Sequence, residues 1–237
     1  MEKRGPLLLI KALYSVKMKR SKDLQQNIWG IDNIPKKNIN NNLKIEKKFW
    51  EFGYKYIAGV DEVGRGCLAG PVVAAAVILS KDTIIDGITD SKLLSPKKRQ
   101  ELSLTIRKKA LSYSIVEISP KEIDEINILQ ASLKAMAIAI NKLSVTPDIV
   151  FVDGNQLIKN ITIPQFAIVK GDIRSQSIGA ASIIAKVYRD NLMKNFHNMY
   201  PQYNFHKNKG YATQEHKNAI KKYGICPIHR ISFHLET

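Results

Sequence analysis

Cysteine is scarce in this chain of 237 residues: only Cys67 and Cys226 occur. They lack the spacing of a metal site and do not suggest a disulfide framework, so packing as small apolar residues is their expected role. Long apolar runs are also missing. The patch at residues 7–10 is broken by Lys11 and has no cleavage site of small residues, so neither a membrane span nor a signal peptide is read, and a cytoplasmic location is expected. Acidic residues are few, 21 Asp and Glu against 37 Lys and Arg, which leaves a net charge of +16. Such an excess favours a polyanionic partner, either nucleic acid or an anionic membrane surface. A solvated Lys-rich surface is the plainer alternative, since Asn, Ile and Lys are abundant throughout. Hydrophobic residues make up 44%, enough for one globular domain with an appended segment.

Residues 1–50 differ from the rest. The stretch KKNINNN at 36–42 is polar and low in complexity, so a basic, partly disordered extension is expected, with Trp29 and Trp50 as candidates for docking on the body. The body, residues 51–237, alternates strands and helices. Strands are expected at 54–60, 72–79, 114–118, 149–152 and 166–169. The run 72–79 is apolar throughout, which suits a strand buried on both faces; periodicity alone does not separate it from a buried helix. Ser95-Pro96 and Ser119-Pro120 are each an N-cap followed by proline at the first helical position. A first helix is expected to about residue 112. A second helical region follows residue 119 and stops at Pro147. A long helix over 175–199 and a short one over 214–223 complete an α/β fold with a mixed sheet and a helical C-terminal part.

Acidic residues sit where strands end. Asp61 and Glu62 follow the apolar residues 57–60, Asp153 follows 149–152, and Asp172 lies between a strand and the long helix. Carboxylates at strand ends can converge on one sheet edge, and a converging set does not stay charged without a cation. Oxygen ligands without His or Cys suit a hard ion, Mg²⁺ or Mn²⁺. Neighbours on a regular strand point to opposite faces, so Asp61 and Glu62 share a site only if the strand bends or ends near Gly64-Arg65-Gly66. Taken singly, Asp172 is more often a turn or helix cap than a ligand.

Seven motifs now fall in order: IAGVDEVGRGCLAGPVVAAAVIL at 57–79, DSK at 90–92, VDG at 152–154, KGD at 170–172, AASIIAKVYRD at 180–190, KGYAT at 209–213 and HRISF at 229–233. Together they resemble the ribonuclease HII family over about residues 54–233. The sister family, ribonuclease HIII, is similar around the first acidic pair but lacks the GRG loop. Position 67 is Cys where the family usually has Pro, and the N-terminal extension has no counterpart in shorter members.

The resemblance implies a ribonuclease H-like fold, with a mixed five-stranded sheet flanked by helices. It implies that Asp61, Glu62, Asp153 and Asp172 bind Mn²⁺ or Mg²⁺ and that the enzyme acts as a monomer. The implied substrates are RNA–DNA hybrids and duplex DNA carrying single ribonucleotides, cut by water to leave 5′-phosphate and 3′-hydroxyl ends. Gly64, Arg65 and Gly66 resemble the loop that senses the ribose 2′-OH, and Tyr211 the tyrosine that checks the RNA–DNA junction. Outside those motifs, Tyr211 would read as an ordinary surface ring. Ser182 and Lys186 are spaced i,i+4 and share a helix face; Lys186 suits either the substrate backbone or a neighbouring carboxylate. Asp190 reads as structural, Asn155 and Lys170 as supports for the ligands, and the histidines as structural or phosphate contacts. Two other classes remain open: a resolvase or transposase of the same fold, and a non-catalytic basic RNA-binding protein. The acidic set argues against the binder, because carboxylates repel a polyanion unless metals intervene.

Overall fold

The all-apolar run becomes β2 (Val72–Ile78), with every residue buried, because both faces of the sheet are covered. In the computed structural model, which describes residues 43–233, the other strands are β1 (Ile57–Val63), β3 (Ser112–Ile118), β4 (Ile149–Asp153) and β5 (Gln165–Ile168). The order is β3-β2-β1-β4-β5. β2 runs antiparallel to β1 and β3, while β1, β4 and β5 are mutually parallel. The expected mixed five-stranded sheet is therefore present. β1 sits at its centre, where one strand meets an antiparallel and a parallel neighbour.

Seven α-helices and a 3₁₀ turn follow α1 (Lys44–Glu51): α2 (Pro96–Lys109), α3 (Pro120–Ile126), α4 (Ile128–Asn141), α5 (Gly171–Arg174), α6 (Gln176–Met199), a 3₁₀ turn (Pro201–Tyr203), α7 (Phe205–Asn208) and α8 (Gln214–Tyr223). Ser95 and Ser119 cap α2 and α3 as expected, each hydroxyl accepting an amide bond at 3.2 Å. The helical region after 119 divides at Asn127, whose φ of 66° breaks the helix and whose side chain caps α4. α2 ends earlier than expected, at Lys109, which frees Ser112 to begin β3 opposite Ile78.

One face of the sheet packs α4 against Ala58, Val60, Ala74, Ala76, Val150 and Val152. The other packs Val73, Ala75 and Val77 against α2 and α6, where Ala180, Ala181 and Ala185 let α6 lie close. The closest approach is at Gly59: a Cβ there would stand 2.1 Å from the Ser177 carbonyl carbon, so no larger residue fits. α1 closes the opposite end of this face by inserting Ile45 and Phe49 beside Phe151, Ile168 and Ile178. The packed body thus begins before residue 51. Residues 1–42, and with them most of the expected extension and Trp29, lie outside the described residues. The C-terminal turns and α8 gather around Tyr203, Phe205, Ile220 and Ile228. Among the described residues, no helix is long and apolar enough to cross a membrane.

Candidate active site

Asp61 and Glu62 lie inside β1, not beyond its end, so the strand neither stops nor needs to bend at that point. β1 outruns its parallel neighbour: the last pairing with β4 is Val60↔Val152. The two carboxylates leave opposite faces of an overhanging strand tip, and both reach the same cleft. Asp61 is buried on the α6 side, its Oδ1 accepting the Glu62 amide at 2.7 Å. Glu62 turns outward and accepts from Arg65 at 3.1 Å. Asp153 ends β4 and accepts the Gly171 amide at 2.7 Å. Asp172 sits in the first turn of α5, where its Oδ1 accepts the Ile173 amide at 3.1 Å. The turn carrying Asp172 is wedged against α6: a Cβ on Gly179 would meet the Asp172 carbonyl oxygen at 2.6 Å.

The three aspartates resist ionisation. Burial raises Asp61 well above the usual carboxylate range, and the charges of Glu62 and Asp153 raise it further. Burial also raises Asp153, with Glu62 adding to it against the Gly171 amide, which favours the anion. Asp172 is raised by burial, then by Asp153 and Asp90, with Lys92 opposing. A hard divalent cation would relieve the desolvation and repulsion together, and the donors on offer are all oxygens, so the residues fit Mg²⁺ or Mn²⁺. Among the described residues no three of these side chains stand as a ligand set; Glu62 accepts from Arg65 and Asp153 from Gly171.

The cleft around them measures about 710 Å³ and is lined by Gly64, Arg65, Gly66, Ser91, Lys92, Arg99, Ser182, Lys186 and Tyr211 as well as the four carboxylates. The four carboxylates therefore meet Gly64, Arg65, Gly66, Ser182, Lys186 and Tyr211 in one cleft, as the sequence led us to expect, while Asn155 and Lys170 stay outside it. Ser182 bonds Asp61 and stands 3.0 Å from the Ser91 hydroxyl. Lys186 faces the cleft and also donates to Asp190 at 2.6 Å, so its two readings are compatible. Asp190 ties Lys186 to Arg99 as a structural carboxylate. Tyr211 is 39% exposed, its ring open to the cleft. Asn155 lies in a small adjoining hollow beside Glu62, Arg65 and Ser132 and does not line the main cleft. Lys170 adopts a left-handed conformation, φ 55°, at the turn before Asp172.

Sequence reasoning gives no role to Ser91, Lys92 or Arg99. The DSK motif is the available signal for the first two. Arg99 stands unmarked in a helix, yet it is buried and donates to the carbonyls of Ser91 and Leu94, which fixes the DSK loop. Two further arginines escape the same reasoning. Arg189 and Arg230 are fully buried. Arg189 donates to the carbonyls of Pro71, Lys209 and Ala69. Arg230 donates to those of Gly70, Arg65 and Gly64. Arg230 holds the glycine loop by its backbone, while Arg189 ties Ala69 and Pro71 to Lys209; the Arg65 side chain turns to the cleft, where it pairs with Glu62. Gly64 has φ +95°, and a Cβ on it would stand 2.2 Å from Arg189 Nε, so two constraints require glycine there.

Comparison with known proteins places the fold in a family. The family model described as Ribonuclease HII matches residues 58–236. Ribonuclease HII of Thermotoga maritima is 57% identical over 183 residues, which cover 77% of this chain and 74% of that protein. Ribonuclease HII of Acetivibrio thermocellus is 55% identical over 188 residues, covering 79% and 73%. The crystal structure of ribonuclease H2 from Pyrococcus horikoshii superposes with a TM-score of 0.66 at 29% identity, covering 76% of this chain and 94% of that one. The motifs, the sheet order and the convergent carboxylates thus have one explanation: the chain belongs to the ribonuclease HII family and is an endoribonuclease of the ribonuclease H type, acting on the RNA of RNA–DNA hybrids.

Proposed function

We propose that this enzyme also cuts duplex DNA at single embedded ribonucleotides, by a two-metal water attack that leaves 5′-phosphate and 3′-hydroxyl ends. The observation that carries this reading is the meeting of four carboxylates, three of them raised by burial and mutual repulsion, with a glycine loop held from behind by Arg230. Asp61, Glu62, Asp153 and Asp172 would hold Mn²⁺ or Mg²⁺. Such ions supply an activated water and stabilise charge on the leaving oxygen. The remaining work belongs to side chains and backbone. Gly64 and Gly66 let the main chain approach the ribose 2′-OH, and Arg65 contacts the adjoining phosphate. Lys186 and Lys92 offset phosphate charge near the acidic set. Tyr211 packs on the deoxyribose that follows the ribonucleotide, which makes one junction enough for recognition.

The test uses two duplexes of equal length, one all-DNA and one with a single ribonucleotide, incubated with the full chain and Mn²⁺ or Mg²⁺. The expected result is a nick only in the second, with ends that a ligase can reseal. An intact ribonucleotide duplex under conditions where an RNA–DNA hybrid is degraded would refute the single-ribonucleotide reading. A 2′,3′-cyclic phosphate end would refute water as the nucleophile.

A further inference from the structure

Behind Tyr211 lies a pair of buried histidines whose protons are fixed by their neighbours. His216 Nδ1 stands 2.9 Å from the Tyr211 carbonyl oxygen, which can only accept, so this nitrogen carries a proton. Burial disfavours a second proton on His216, which leaves its Nε2 as an acceptor. That nitrogen is 3.0 Å from His229 Nε2, which must then donate. His229 Nδ1 is left to accept, and the Cys226 amide donates to it at 2.9 Å. Every polar atom on both rings is thereby accounted for, in one direction, from the Cys226 backbone to the Tyr211 backbone.

The surroundings keep this chain dry and rigid. Tyr203 packs edge-on against His229 at 4.9 Å between centroids, and Phe205 against His216 at 5.3 Å. Its far end is equally anchored. Arg230, next to His229, holds the carbonyls of Gly64 and Arg65. One turn of chain, residues 226–230, therefore touches both substrate-reading elements: the glycine loop through Arg230 and the tyrosine through His229 and His216.

We propose that His216 and His229 are positioning residues for ribonucleotide recognition, a relay of neutral imidazoles that sets Tyr211 at a fixed distance from the glycine loop. The inference rests on the sensing role of Tyr211 proposed above. Neither histidine lines the cleft, and His216, which alone of the two bonds Tyr211, acts on cleavage through it.

The experiment has two parts. Nitrogen-15 NMR of the histidine rings in the full chain at pH 7 should show His216 protonated on Nδ1 and His229 on Nε2, both neutral. A charged His216, or the opposite tautomers, would overturn the relay. The second part compares His216→Asn with His216→Gln on a duplex containing one ribonucleotide, with Mn²⁺, using melting temperature as a folding control. The Asn amide replaces the Nδ1 donor to Tyr211, whereas the longer Gln carries its amide past it. His216→Asn should stay within about twofold of the parent in kcat/KM, and His216→Gln should lose roughly 3- to 10-fold, as expected for one hydrogen bond. Combined with Tyr211→Ala, His216→Gln should add no further loss. Independent losses in the double variant, or equal losses for Asn and Gln, would reduce the pair to plain core packing. Parent-like activity of Tyr211→Ala alone would instead strike down the sensing role, and the relay's function with it.

Discussion

Asp153 illustrates how one side chain serves the fold poorly and the proposed chemistry well. Its carboxylate is driven toward the protonated form by burial and by Glu62, and it lies at the end of a strand where a neutral residue would be more comfortable. Asp153→Asn keeps an oxygen for the Gly171 amide while removing charge. The expected outcome is loss of cleavage by orders of magnitude, together with an unchanged or slightly higher melting temperature in EDTA. Near-normal turnover at saturating Mg²⁺ would remove Asp153 from the ligand set. At this scale the cleft is largely legible in the sequence, because the carboxylates that line it sit in short motifs whose spacing survives without coordinates. Arg189 and Arg230 lie inside two of those motifs and still go unread. A buried guanidinium bonded only to carbonyls has no sequence partner to reveal it.

At the scale of elements, α1 is the chief surprise. The helix KIEKKFWE follows a polar low-complexity stretch and precedes the first motif, so Trp50, which does pack on the body, is the one local mark of docking. Tertiary packing decides the matter. Glu46, fully buried, accepts from the Ser175 hydroxyl at 2.6 Å and the Ser177 amide at 3.1 Å, capping the N-terminus of α6 from another helix. Its Oε2 has no hydrogen-bond partner among the described residues, and burial raises its carboxyl above the usual range. Glu46→Gln should therefore be tolerated, since the amide oxygen can take the same two bonds. Glu46→Ala should cost about 1–2 kcal/mol, read by urea denaturation, because α6 loses a cap and a buried space opens. Equal stability of both variants would contradict the capping role. The strand ends differ from expectation for a related reason. Ser112 and Val63 extend their strands because β2 offers partners along its full length, and such pairing is invisible to a reading of one segment at a time.

For the molecule as a whole, charge and pH are the accessible handles. Residues 1–42 carry nine Lys and Arg against three Asp and Glu. Their removal should weaken hybrid binding most at low salt, without moving the cut. The slope of log K against log salt should fall by about 0.9 for each phosphate that is no longer neutralised. A shifted cleavage position would make that segment part of the site. Stability should also fall in mild acid. His229, enclosed by His216, Tyr203 and Cys226, is pushed down by burial and by His216 to about 4, below its ordinary 6.5. The unfolded chain then binds the extra proton first. The contribution is complete above about 6.5 and is lost as pH falls toward about 4, on the order of 3 kcal/mol. The raised carboxylates act in the opposite sense, so the useful quantity is a difference. His229→Phe should flatten the acid limb of the stability curve measured in EDTA; an unchanged limb would show that the imidazole titrates normally.

The central claim is that four carboxylates at one sheet edge exist to hold the divalent ions that cut RNA. The most direct measurement is calorimetric titration of Mn²⁺ into the full chain, the Asp61→Asn variant and the Asp172→Asn variant, with nicking of a single-ribonucleotide duplex followed on the same samples. The account predicts saturable binding by the parent, and joint loss of binding and nicking in the variants while their folds melt as the parent's does. Variants that nick normally, or that lose nicking while binding Mn²⁺ as tightly as the parent, would contradict it.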